Sequence, residues 1–133
     1  MRSLILGGVR SGKTRHAQAL AEASGKTVIY VATAEARDGE MADRIARHRA
    51  DRPAQWQLVE EPLALASTLH ALAAPGRCIL VDCLTLWLSN LLLHDEGRRL
   101  AAERDALLAT LAILPGEIIL VSNETGLGVV PMG

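Results

Sequence analysis

Three groups of residues in this 133-residue sequence have types and spacings that could do chemistry. The first is Gly7-Gly8-Val9-Arg10-Ser11-Gly12-Lys13-Thr14, which fits G-x-x-x-x-G-K-[ST] at every fixed position. Its glycines let backbone N–H groups turn inward and approach an anion more closely than a Cβ would allow. Lys13 can reach the β- and γ-phosphates of a nucleotide, and the Thr14 hydroxyl can ligate Mg²⁺. A helix starting at the end of the loop aims the positive end of its dipole at the same phosphates. The second group is Asp82, an acid that closes the apolar run Cys78-Ile79-Leu80-Val81. Such an acid either holds Mg²⁺ beside the phosphates or caps the helix that follows. The third is His48 among Arg44, Arg47, Arg49 and Arg52. A histidine in this setting is either a satisfied core residue, or an acid–base group, or a nucleophile that attacks phosphorus and carries a nucleotidyl group as a phosphoramidate. The neighbouring guanidinium groups would then neutralise the developing charge.

The remaining candidates read as structural. His16, His70 and His94 have no acidic or cysteine partners at metal-ligand spacing. Cys78 and Cys83 are too few for a disulfide framework and read as buried free thiols, as in a reducing cytosol. Trp56 and Trp87 read as packing residues. No Ser/His/Asp arrangement of a hydrolase stands out.

These groups must be positioned by strands and helices. The sequence predicts a strand over 3–7, then a helix over 13–23 with Ala17, Leu20 and Ala21 inward, ending near Gly25. The β-branched run TVIYVAT over 27–33 suits a parallel strand covered on both faces. Residues 40–49 read as a helix with Met41, Ile45 and His48 on one face, ended by Pro53. A short strand follows over 55–60, then a helix over 62–73 opened by Pro62 at its first turn. Strand 78–82, helices over 84–93 and 97–111, and strand 117–122 complete the series. Alternating strands and helices imply an α/β fold with a mostly parallel sheet and helices on both faces. Ligands of such sheets gather at the carboxyl ends of the strands. The glycine loop, Thr33, Asp82 and Asn123-Glu124 all follow strand ends.

Length points to one nucleotide-binding domain over 1–133. Half of the residues are hydrophobic but only 2% are aromatic, so the core must be built from Leu, Ala, Val and Ile. A net charge of −1 argues against a general binder of nucleic acid or of membrane surfaces. No signal peptide is visible, and the longest apolar tract, 78–93, holds too many polar residues to span a membrane. These features point to the cytoplasm. From the residues alone the chain reads as a binder of a nucleoside triphosphate, and an enzyme that uses it is the main reading. A P-loop kinase of some small molecule with a structural His48, and a non-catalytic nucleotide-binding module, are the alternatives.

Four stretches carry a more specific resemblance: GGVRSGKTRHAQAL (7–20), YVATAEARDGEMADRIARHRADRPAQW (30–56), VDCLTLWLSNLL (81–92) and VSNETGLGVVPMG (121–133). In them the chain resembles the bifunctional adenosylcobinamide kinase / adenosylcobinamide-phosphate guanylyltransferase family of cobalamin biosynthesis. The second stretch is the most diagnostic, with Glu40-Met41, Arg44-Ile45, His48 and Arg52-Pro53-x-x-Trp56 in order. The resemblance implies a RecA-like P-loop NTPase fold and a homotrimer. It implies phosphorylation of the aminopropanol hydroxyl of adenosylcobinamide by ATP or GTP. A second reaction would then move GMP from GTP onto adenosylcobinamide phosphate through a guanylylated histidine, releasing pyrophosphate. The nucleophile position of the family falls on His48, with Lys13 as the other catalytic residue. The nucleotide contacts fall on Gly7, Gly8, Val9, Arg10, Ser11, Gly12, Lys13 and Thr14, on Ala32, Thr33 and Ala34, on Arg49, Ala50, Asp51 and Arg52, and on Glu60 and Asp82. Thr14 and Asp82 would hold Mg²⁺. Family chains continue beyond the stretch matching Val130-Pro131-Met132-Gly133 into an Arg-rich helix and a last strand, so the resemblance implies a shortened form of the family fold.

Overall fold

Apolar runs rich in β-branched residues are suited to strands covered on both faces. The computed structural model describes residues 2–7, 13–34 and 56–123, and five strands form in it, of which β2 and β4 are such runs. They are β1 (Arg2–Gly7), β2 (Thr27–Ala32), β3 (Gln57–Glu60), β4 (Arg77–Asp82) and β5 (Glu117–Asn123). The described helices are α1 (Lys13–Ala23), α2 (Leu65–Leu72), α3 (Leu84–Leu93) and α4 (Leu100–Leu111). The predicted helix over 40–49 and the loop after β5 lie outside the described residues.

The strands join one sheet in the order β1-β5-β4-β2-β3, and every described ladder is parallel. Parallel neighbours need a crossover connection, and between β4 and β5 the helices α3 and α4 supply it. The predicted strand–helix–strand opening is present, but β1 and β2 are not neighbours: β5 and β4 lie between them.

Alternation along the strands builds two cores. Ile29, Val31, Ile79, Val81, Ile118 and Leu120 face α2, α3 and α4, where they meet Leu65, Leu69, Trp87, Leu91 and Leu107. Val28, Tyr30, Ala32, Cys78, Leu80, Ile119 and Val121 face the other way and meet Ala17 and Ala21 of α1. Ala17 and Ala21 are one helical turn apart and small, so the α1 backbone can approach the sheet closely. Leu20 was predicted on that same inner side but is 37% exposed. It stands about 100° around the helix from Ala21, on the rim of the stripe.

Four further predictions need correction. The helix predicted from Pro62 begins at Leu65. The Glu61 carboxylate accepts from the backbone N–H of Leu63 (3.1 Å) and Ala64 (2.9 Å), which holds residues 62–64 as a turn before the helix. The helix predicted from Gly97 begins at Leu100. A 3₁₀ turn, His94–Gly97, precedes it, with Asp95, Glu96 and Gly97 at φ of 48°, 58° and 78°. Left-handed conformation at two non-glycine residues is not readable from helical spacing. Cys83 is half-buried rather than buried; its sulfur accepts the Leu86 N–H and caps α3. The strand predicted to reach Thr33 ends at Ala32.

The carboxyl edge of the sheet is stepped. Glu60, Ala32, Asp82, Val121 and Ile5 lie in one row across the strands. There β3, β2 and β4 end, whereas β5 and β1 run two residues further, to Asn123 and Gly7. Two residues of parallel strand rise about 7 Å.

Candidate nucleotide site

The carboxyl edge collects most of the described residues whose chemistry was singled out. Gly7, the first residue of the glycine loop, ends β1 beside Asn123 of β5. Lys13 and Thr14 are the first two residues of α1. Asp82 ends β4, two strands away from β1, or about 10 Å laterally. Glu60 ends β3 and is exposed, and Ala34 is half-buried just beyond β2. Gly8, Val9, Arg10, Ser11 and Gly12 lie outside the described residues, as do His48, Arg49, Ala50, Asp51 and Arg52.

Asp82 is half-buried, and strand alternation puts it on the same sheet face as Tyr30 and α1. The Tyr30 hydroxyl donates to Asp82 Oδ2 in a short hydrogen bond. The acid therefore lies on the face of the sheet that carries the helix following the glycine loop. Its carboxylate is a hard oxygen donor of the kind Mg²⁺ takes, one or two per site, with phosphate and water oxygens completing the shell. The alternative role for Asp82, capping the next helix, is filled by Cys83.

Behind Asp82 the edge is tied by a small polar network. Thr33 is wholly buried. Its hydroxyl donates to the Cys83 carbonyl (2.8 Å) and accepts from the Cys83 N–H (3.0 Å), while its own N–H donates to the Asp82 carbonyl (3.1 Å). Asn90 of α3 donates through Nδ2 to the carbonyls of Thr33 (2.7 Å) and Pro62 (3.1 Å). Trp87 Nε1 donates to the Leu63 carbonyl at 2.8 Å. On the β5 side the hydroxyls of Thr85 and Ser122 are 3.1 Å apart. Thr33 thus binds the ends of β2 and β4 to each other, and Ala32 beside it is buried.

Sequence reasoning missed Tyr30, Glu61, Asn90 and the Thr85–Ser122 pair. Tyr30 is the one tyrosine of the chain, set in a run of aliphatic residues, and a phenol in such a run needs a polar partner for its tip. That signal was available, though the identity of the partner was not.

Comparison with known proteins decides the family. The profile described as cobinamide kinase / cobinamide phosphate guanyltransferase matches residues 3–133. The chain belongs to this family. It is 68% identical over 133 residues to the bifunctional adenosylcobalamin biosynthesis protein CobP of Pseudomonas aeruginosa, across all of this chain and 77% of that protein. It is 38% identical over 144 residues to the proteins named CobU of Escherichia coli and of Salmonella typhimurium, across 98% of this chain and 79% of each. The cobinamide kinase / guanyltransferase family is one of enzymes of cobalamin biosynthesis, and the α/β architecture described above is its P-loop type of fold.

Proposed function

We propose that this chain phosphorylates adenosylcobinamide with ATP or GTP and then transfers GMP from GTP to adenosylcobinamide phosphate. The reading rests on one observation above all: a chain matching the family over 3–133 carries the glycine-loop sequence at the end of β1 and Asp82 on the α1 face of the same sheet edge.

In the first reaction the aminopropanol hydroxyl attacks the γ-phosphorus, its proton departs, and the nucleoside diphosphate leaves. The N–H groups of the 7–14 loop and the Lys13 ammonium stabilise charge on the transferring group. In the second, a His48 ring nitrogen attacks the α-phosphorus of GTP and pyrophosphate leaves, giving a phosphoramidate. A phosphate oxygen of adenosylcobinamide phosphate then attacks the same phosphorus and returns His48 to its neutral form. Arg49 and Arg52 neutralise charge during both transfers, and Ala32, Thr33, Ala34, Ala50, Asp51 and Glu60 complete the nucleotide contacts. Thr14 and Asp82 would hold Mg²⁺, which when bound screens the phosphate charge. The resemblance further supports one nucleotide-binding domain over 1–133, a homotrimer and a cytoplasmic location.

Incubation with GTP labelled at the α-phosphorus tests the mechanism. An acid-labile, base-stable protein label is expected, absent from His48→Asn; a label that survives this substitution would refute guanylyl transfer through His48. Lys13→Ala is expected to abolish phosphorylation of adenosylcobinamide, and unchanged phosphorylation would refute the loop assignment. A sedimentation mass equal to three chains tests the oligomer.

A further inference from the structure

We propose that Tyr30 is a positioning residue for Asp82: its hydroxyl fixes the orientation in which the carboxylate meets the cation accompanying the nucleotide. The inference rests on the proposed role of Asp82 as a metal-holding acid. It adds a residue that neither the glycine-loop pattern nor the acid at the end of β4 identifies.

Three observations carry it. First, β2 and β4 are neighbours, and Tyr30 lies beside Leu80, two residues below Asp82. Both side chains belong to the α1 face, so the phenol reaches up the strand to the carboxylate, where it donates to Oδ2. Second, the ring is 3% exposed and packed in the cluster that contains Ala17 and Ala21 of α1. A buried aromatic ring has two side-chain torsions and little freedom left, so its donor stands at a fixed point. Third, the partner is neutral. A lysine or arginine would orient the acid but also cancel its charge, whereas a phenol orients it and leaves that charge for a cation. The backbone beneath the acid is already fixed by Thr33, through the Asp82 carbonyl and both polar groups of Cys83. Tyr30 supplies the corresponding restraint on the side chain.

The test uses Mn²⁺ as the probe, titrated by electron paramagnetic resonance into the full 133-residue chain saturated with a non-hydrolysable GTP analogue. Asp82→Asn is expected to weaken Mn²⁺ binding by at least about tenfold. Tyr30→Phe is expected to weaken it about three- to tenfold, the size of one hydrogen bond's net contribution. Nucleotide affinity measured without metal should stay unchanged in that variant. The double variant should bind Mn²⁺ no more weakly than Asp82→Asn alone, because the two groups act as one unit. Replacing Tyr30 by p-aminophenylalanine, which keeps a donor at the ring tip, should restore most of the affinity. Tyr30→Phe removes one oxygen from a ring whose body stays packed, and the half-buried Asp82 carboxylate retains access to water, so the fold is retained. Wild-type Mn²⁺ affinity in Tyr30→Phe alongside weakened binding in Asp82→Asn overturns the role of Tyr30 and leaves that of Asp82 standing. Wild-type affinity in Asp82→Asn overturns the role of the acid itself, and the proposal with it. Equal weakening by Tyr30→Phe in both backgrounds, or no recovery with the amino analogue, overturns the proposal by showing that the effect does not pass through the hydrogen bond to Asp82.

Discussion

Burial pushes the Cys78 thiol above its ordinary value of 9.0, because loss of water disfavours the thiolate. The folded chain therefore keeps this proton to higher pH than the unfolded chain does. Below the ordinary thiol range the group adds no pH dependence. Above it the unfolded chain ionises first, and stability falls by at most about 1.4 kcal/mol per pH unit. Urea unfolding at pH 8 and at pH 10 should thus show the wild type losing more stability than Cys78→Ala over that interval. Alkylation of the native protein should also separate the two thiols, with half-buried Cys83 reacting well before Cys78. At Thr33 the expected cost is larger. Thr33→Val keeps the shape but deprives the Cys83 N–H of its acceptor, at about 1–3 kcal/mol by chemical denaturation. Single residues also mark where the sequence stops being informative. The place of Asp82 at the end of β4 was legible because an acid closing an apolar run stands out. Tyr30 as its partner was not, because the pairing depends on β2 lying beside β4, and the two side chains are 52 residues apart in the chain.

The helices and turns show a similar division. Small alanines one turn apart located the inner stripe of α1, and the acid after an apolar run located the end of β4, whereas β2 stops one residue short of Thr33. Pro62 misled because proline suits a helix start, whereas the Glu61 carboxylate organises a turn first and also receives the Thr68 hydroxyl at 3.1 Å. Glu61→Ala should therefore destabilise the turn that leads into α2 by about 1–3 kcal/mol, the usual cost of leaving hydrogen-bonded groups without their acceptor, seen as a lowered Tm with the other helices intact. Gly116 guards a second junction, between α4 and β5. Its φ is +82°, and a Cβ there would run into the backbone carbonyl oxygens of Ala74 and Arg77 in the turn that opens β4. Gly116→Ala should cost more than the about 1–2 kcal/mol of a left-handed alanine alone, measured by the same denaturation.

Across the whole described molecule, the central strands hold the two cores together. β4 is bonded to β5 and β2, and its residues 78–81 are buried, alternately in one core and the other. Amide hydrogen exchange should consequently be slowest in β4 and fastest along β3, a four-residue edge strand with exposed ends. Ile118→Ala, at a wholly buried position, should cost about 2–5 kcal/mol, and Leu108→Ala, at 63% exposure, under about 0.5 kcal/mol. The fold class was legible as alternation of strands and helices, because local pattern dictates it. The order of strands was not, since no local pattern says that β5 inserts between β1 and β4.

That stepped sheet edge makes strand length a matter of parity. Asp82 faces α1 because it stands an even number of residues after Cys78, and it lies below the level of Gly7 because β4 stops early. One residue inserted within β4 would turn the acid towards Trp87 and α3, on the far side of the sheet. Two would return it to the original face but raise it by about 7 Å, level with the first glycine of the loop. Insertions and deletions in this strand are therefore quantised in their effect, and only a chain that keeps its present count offers the acid at both the right face and the right height.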